Sequence, residues 1–155
     1  MIIAPASMDD LLSGWRLHWR GDVIVTPRRH YAPSEVRALA AHDQAGAMLG
    51  LVTFAVHDDL GELVSLNTEA SGRGIGTALM DAAEHEARKL GAERMILATT
   101  NNNLSALRFY QKRGFRLVAL HRDAVAEIRR EKPSIPMVDP DGLPIRDLID
   151  LEKTL

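Results

Sequence analysis

The chain has 155 residues, 46% hydrophobic and 26% charged, a length and balance at which one domain buries a core without metals or disulfides. It contains no cysteine, which excludes disulfide staples, thiolate catalysis and cysteine-based metal sites. A formal net charge of −2 argues against broad attachment to nucleic acid or an anionic membrane; with no basic leader and no run long enough to span a bilayer, the expectation is one soluble, cytoplasmic domain over 1–155.

Met1 to Ala4 is a short β-prone run, and Ser7 ahead of Asp9 and Asp10 has the form of a helix cap with an acidic first turn. The helix is expected to reach about Arg20, with Leu11, Leu12, Trp15 and Trp19 at helical spacing facing a core or cleft. Asp22 to Arg29 and Val36 to Ala41 read as strands on either side of Pro33-Ser34-Glu35. Ala47 to Val56 and Leu63 to Thr68 then form a hairpin, split by Asp58-Asp59-Leu60-Gly61. After Gly76 the period becomes helical: Leu79, Ala83, Ala87 and Leu90 make an apolar stripe, Asp81, Glu84, His85, Arg88 and Lys89 face away, and Gly91 supplies the stop. Arg94 to Thr99 is a strand, Leu104 to Arg113 a helix closed by Gly114, and Phe115 to Leu120 another strand. A short helix from Ala124 to Lys132, a proline-rich stretch from Pro133 to Pro144 and a closing strand Leu148 to Glu152 complete the chain. A long irregular connection in a compact domain is more often functional than idle.

Ser71-Gly72-Arg73-Gly74-Ile75-Gly76-Thr77 lies between a strand and the best helix, so its backbone can turn tightly and present N–H groups at a positive helix N-terminus, a site for phosphate. The dinucleotide pattern G-x-G-x-x-G fails because position 77 is Thr, and the nucleotide-triphosphate pattern fails because no Gly-Lys-Ser/Thr follows. Taken alone, the loop is equally well a joining turn. A second motif, Asn103-Leu104-Ser105-Ala106-Leu107-Arg108-Phe109-Tyr110-Gln111-Lys112-Arg113-Gly114-Phe115, places an amide, a small residue and a phenol at positions 103, 106 and 110 on one helix face. Each has a plain alternative: a cap for Asn103, close packing for Ala106, a core aromatic for Tyr110.

Gly72-Arg73-Gly74-Ile75-Gly76 after a strand resembles the CoA-pyrophosphate loop of GNAT acetyltransferases, Arg/Gln-x-x-Gly-x-Gly/Ala, with Ser71 at the first position and Arg73 as a replacement cation. The second motif resembles that family's Asn-x-x-Ala-x-x-Phe/Leu-Tyr-x-x-x-Gly-Phe segment at every defined position. The resemblance covers about 70 to 120 and, more weakly, the closing strand. It implies the GNAT acyl-CoA N-acyltransferase fold in the α/β (α+β) class: a mixed, twisted sheet flanked by helices and splayed at its centre, with the pantetheine arm of acetyl-CoA in the gap. The implied reaction is direct transfer of acetyl to a primary amine in a ternary complex, with acetyl-CoA as co-substrate and no metal.

The implied site comprises Leu66 and Thr68 at the end of a strand, Ser71 to Thr77 (Ser71, Gly72, Arg73, Gly74, Ile75, Gly76, Thr77), and Asn103, Ala106 and Tyr110. By resemblance the Leu66 N–H stabilises the oxyanion and Tyr110 is the general acid, a role that suits a phenol of ordinary pKa about 10. The base is left open among Glu62, Glu69 and His121. His18, His42 and His85 read as solvated or packing residues, His30 and His57 are unplaced, and the histidine spacing does not suggest a metal site. The 121–146 segment is expected to act as a lid or as a solvated helix, with Asp139, Asp141 or Asp150 attracting a cationic amine. Small polyamine, amino acid, antibiotic, peptide N-terminus and protein lysine stay open as acceptors. A homodimer through the final strand is one further expectation; a catalytically silent CoA-binding sensor and, more remotely, a nucleotide-dependent enzyme are the competing functions.

Overall fold

The computed structural model describes residues 1–69 and 72–155. Ser71, the first position of the expected cofactor loop, therefore lies outside the described residues.

The elements in chain order are β1 (Ile2–Pro5), α1 (Met8–His18), β2 (Ile24–Val25), β3 (His30–Tyr31), a 3-10 turn (Pro33–Glu35), β4 (Arg37–His42), β5 (Met48–His57), β6 (Leu60–Thr68), α2 (Ile75–Lys89), β7 (Arg94–Thr100), α3 (Leu104–Lys112), β8 (Arg116–His121), α4 (Ala124–Glu131) and β9 (Leu148–Thr154). Ser7 caps α1, its Oγ accepting from the Asp10 N–H at 3.1 Å. The helix stops at His18, short of the expected Arg20, because Arg20 adopts φ 64° and cannot continue a right-handed helix. The strand expected over Asp22 to Arg29 shrinks to Ile24–Val25 because Pro27 has no N–H to donate, and the Thr26 hydroxyl accepts from the Arg28 and Arg29 N–H groups and closes a turn.

Seven strands form one sheet in the order β1-β4-β5-β6-β7-β9-β8. All neighbours are antiparallel except β6 and β7. That parallel pair holds together only where Leu60, Gly61 and Glu62 face Arg94, Met95 and Ile96. One residue later the β5–β6 register shifts: Phe54 opposes Leu63 and Thr53 opposes Ser65, leaving Val64 as an inserted residue. A bulge bends its strand and raises local twist, so β6 turns away from β7 and the sheet opens at its middle. The expected mixed, centrally splayed sheet is present, and a single inserted residue accounts for the opening.

The alternation of the strand puts the neighbouring side chains Leu63 and Val64 on opposite faces. Leu63 joins a core with Val52, Phe54, Leu79, Met80, Met95, Leu97, Tyr110 and Phe115 under α2 and α3. Val64 joins a second core with Leu11, Trp15, Ile24, Tyr31 and Leu51 under α1. Gly14 lets α1 lie close on β5, since a Cβ there would stand 2.8 Å from Leu51 Cδ2. Two expectations for α2 are corrected. Leu90 is the C-cap and stays exposed. Glu84 is only 2% exposed, because it sits at the border of the apolar stripe, where Arg113 and Lys153 reach it with charge-assisted hydrogen bonds.

The final strand also departs from expectation. β9 lies between β7 and β8 and is hydrogen-bonded on both sides, so it offers no open edge for pairing with another copy; the sheet edges are β1 and β8. Among the described residues no helix is long and apolar enough to cross a membrane.

Candidate functional site

A cavity of about 490 Å³ runs from the open end of β6 to the start of α2 and along one face of α3. Its wall contains Leu66, Thr68, Gly72, Gly74, Ile75, Gly76, Thr77, Asn103, Ala106 and Tyr110. Both sequence motifs thus reach the same space. Gly72 and Gly74 have φ of 77° and 73°, which only glycine adopts without strain, and a Cβ on either would meet nothing within 4 Å. Gly74 is the N-cap of α2 and brings no capping side chain. The first bond of the helix ladder runs from Ala78 N–H to Gly74 carbonyl, so the N–H groups of Ile75, Gly76 and Thr77 have no intrahelical partner and point to the cavity end of the helix dipole. This is a cradle for a phosphate-type anion.

The backbone of β6 forms the facing wall. Glu69 N–H donates to the Leu49 carbonyl of β5, and the alternation of an antiparallel ladder makes Asn67 and Ser65 do the same toward Leu51 and Thr53. Leu66 and Thr68 therefore turn their N–H and carbonyl groups the other way, toward the gap left by β7. On α3, Asn103 is indeed a cap: its Oδ1 accepts from the Ala106 N–H at 3.2 Å and from the Ser105 hydroxyl. It lines the cavity as well, so the plain and the functional role coincide. Tyr110, 8% exposed, stands edge-on to Phe109 and Phe115 at 5.2 and 5.7 Å between ring centroids. Burial pushes its phenol above the ordinary value, and the Arg113 charge offsets this only in part, so it is protonated throughout the neutral range.

A second cavity, about 290 Å³, meets the first at Asn103. It lies across the splay from α1 to α4 and is mainly apolar, with Trp19, Ile24, Leu63, Val64, Val125, Ile128 and Leu148 in its wall. Its polar members are Thr26, Thr99, Thr100, His18, Arg20 and Lys132. The 121–146 segment thus does shape a pocket, through α4 and the stretch after it. That stretch is held by Arg129, whose guanidinium donates to the carbonyls of Ile135, Pro136 and Ile145.

Beside this cavity runs a buried polar chain. Arg28 donates from Nε to Glu62 at 2.7 Å and forms a two-pronged pair with Asp150 at 2.9 and 3.0 Å. Tyr31 donates to the other Glu62 oxygen at 2.7 Å and stands 3.0 Å from His57 Nε2, while His121 Nε2 lies 2.7 Å from Asp150. Burial alone would raise the Asp150 pKa, but the bonds from Arg28 and His121 outweigh it and hold the carboxyl below the ordinary range.

The base candidates separate accordingly. Glu62, 1% exposed, has both oxygens engaged, and His121 is held by Asp150. Glu69 pairs with His18 at 3.1 Å, and His18 lines the second cavity, so it is more than the solvated residue expected. His42 pairs with Asp10 and His30 with Glu131. The carboxylates expected to draw a cationic amine lie outside the cavity wall. Asp150 belongs to the buried chain, Asp139 accepts from the Asp141 and Leu143 N–H groups and from Asn102, and none of Asp139, Asp141 and Asp150 lines the cavity. The sequence reading missed Arg28 and Tyr31, which no local pattern marks.

The profile of the Acetyltransferase (GNAT) family matches residues 6–115. The chain is 35% identical over 138 residues to the uncharacterized protein YdhI of Bacillus subtilis (strain 168), covering 89% of this chain and 86% of that one. Its fold is similar to that of an IAA acetyltransferase from Bacillus cereus ATCC 14579, with a TM-score of 0.78, 22% identity and 99% of each chain covered. It is also similar to a Bacillus subtilis acetyltransferase solved in complex with CoA, with a TM-score of 0.70, 19% identity, and 99% of this chain and 97% of that one covered. The glycine loop at the head of α2, the Asn103-to-Phe115 segment and the profile match over both make the chain a member of the acetyltransferase (GNAT) family, a family of acyltransferases.

Proposed function

We propose that the chain, as one domain over 1–155, transfers an acetyl group from acetyl-CoA to a primary amine by direct attack in a ternary complex. The observation that carries this is the cavity joining the uncapped N-terminus of α2 to the open end of β6. The N–H groups of Ile75, Gly76 and Thr77 hold the pyrophosphate, Gly72 and Gly74 let the backbone approach it, and Arg73 supplies a cation at the rim. The pantetheine arm lies between the Leu66 and Thr68 backbone and the Asn103–Ala106 face of α3.

The amine nitrogen attacks the thioester carbon, forming the C–N bond, and the Leu66 N–H donates to the oxyanion that develops. The C–S bond then breaks, and the Tyr110 phenol gives its proton to the departing CoA sulfur. The proton lost from the amine passes to the Glu69–His18 pair, which is supported by its 3.1 Å contact and by the position of His18 in the second cavity. After the products leave, the Glu69–His18 pair gives its proton to solvent and the tyrosinate takes one back, which closes the cycle.

Calorimetric titration with acetyl-CoA and a panel of amines assayed for CoA release test the proposal. Saturable acetyl-CoA binding and amine-dependent turnover are expected. Tyr110→Phe should lower kcat by on the order of 10²-fold or more while acetyl-CoA binding persists. Loss of binding in Tyr110→Phe, or an unchanged kcat, would remove Tyr110 from the role of acid.

A further inference from the structure

The second cavity is assembled from distant parts of the chain and is lined by both apolar and cationic groups. Leu63, Val64, Ile24, Val125 and Ile128 form an apolar body next to the gap between β6 and β7. The cavity wall also holds Lys132, Arg20 and Trp19. These are donors, and they lack an anionic partner. Lys132 Nζ donates to the Trp19 carbonyl, and Arg20 to the Ser134 carbonyl and hydroxyl at 3.0 and 3.1 Å, all neutral acceptors. The Trp19 Nε1–H is buried and has no hydrogen-bond partner among the described residues.

The electrostatics point the same way. Burial lowers the Lys132 pKa, the charge of Arg20 lowers it further, and Glu131 opposes both without restoring the ordinary value. An ammonium in that position is under-compensated, and a carboxylate brought next to it would favour its charged form. Glu69, the other nearby carboxylate, is taken up by His18.

We infer that the acceptor is a small amphipathic amine carrying a carboxylate, with its apolar side chain against Leu63, Val64 and Val125, its carboxylate at Lys132 and Arg20, and its amine, on the carbon beside the carboxylate, turned toward the splay. A volume of about 290 Å³ suits a compact apolar amino acid and lies at the small end of ligand pockets. A polycation such as a polyamine would meet two like charges, Lys132 and Arg20, in the cavity wall. The inference rests on the acetyltransfer proposed above: the amine nitrogen gains the acetyl group and loses a proton, CoA leaves as the thiol, and the carboxylate is unchanged.

The test pairs amino acids with their decarboxylated counterparts: leucine with isoamylamine and phenylalanine with phenethylamine, and sets both beside spermidine and a short peptide. CoA release gives kcat and KM, and calorimetry in the presence of CoA gives acceptor affinity directly. The amino acid of a pair should have a KM lower by about tenfold to a hundredfold, the worth of a charge-assisted hydrogen bond. Lys132→Met should erase that advantage by raising KM for the amino acid, with kcat, the KM of the decarboxylated amine and the affinity for acetyl-CoA unchanged; Arg20→Gln should reproduce it in part. A decarboxylated amine, spermidine or the peptide equal to or better than the amino acids would overturn the inference and leave acetyltransfer standing. So would acetyl-CoA binding with no amino acid bound or acetylated. Absence of acetyl-CoA binding itself would overturn both.

Discussion

The two cavities that meet at Asn103 are built by opposite means. The first is made of backbone: a glycine turn, an uncapped helix end and the outward-turned peptide groups of Leu66 and Thr68. The second is made of side chains drawn from α1, β2, the bulge of β6, β7, α4 and the stretch beyond it, and braced by Arg28 between Glu62 and Asp150. A backbone site can be written in one contiguous segment, because a helix and the turn before it are local structures. A side-chain site gathered across a sheet leaves no such record, and its stability depends on pairing charges far apart in sequence.

That contrast is broken most severely at Arg28. Arg28→Met leaves Glu62 and Asp150 buried without their cation, and unfolding in denaturant should show a loss of about 3–5 kcal/mol. A loss below 1 kcal/mol would mean that the buried chain does not brace the acceptor side. Gly74→Ala tests the backbone side: a Cβ meets no atom there, so the cost is conformational, about 1–2 kcal/mol for a left-handed residue. Acetyl-CoA affinity should fall with it, by calorimetry, as the turn that presents the α2 N–H groups relaxes. Unchanged affinity would separate the turn from the binding.

The pH dependence of stability sharpens the comparison at both ends. Asp150 has a lowered folded pKa, so its contribution is present above the unfolded value of about 4 and is lost as pH falls through the folded value. Asp150→Asn should flatten the acid limb of a Tm-against-pH curve. Tyr31 and Tyr110 are shifted upward by burial, the former also by its bond to Glu62. Above about pH 10 the unfolded chain releases these protons first, and Tm should drop. Tyr31→Phe should soften that drop. The smallest effect is expected at Arg16, whose two-pronged pair with Asp22 has the form of the Arg28–Asp150 pair but lies in solvent. Arg16→Ala should leave Tm unchanged within error; a clear loss would show that geometry alone, without burial, stabilises such pairs here.

Much of the fold could be read from the chain, within a residue or two of the observed ends for α2, β7, α3 and β9, because their apolar spacing and glycine stops are local. The β2 region could not, since Pro27 and the Thr26 hydroxyl override the β-prone composition around them. Glu84 shows a different limit. Its spacing places it at the edge of the polar face, and only the arrival of Arg113 and Lys153 from other elements makes it an interior residue.

By itself the sequence determined the family and the two motifs that line the first cavity, since Gly72 to Thr77 and Asn103 to Phe115 carry their geometry in local backbone preference. Only the tertiary structure decided where the sheet opens, which strand became interior and what lines the second cavity. The bulge at Val64 is a mismatch between two strands, and the Arg28–Asp150 and Lys132–Trp19 contacts join residues more than a hundred positions apart. Such contacts exist only once the sheet has formed, because burial and long-range pairing, and no local propensity, set their energy.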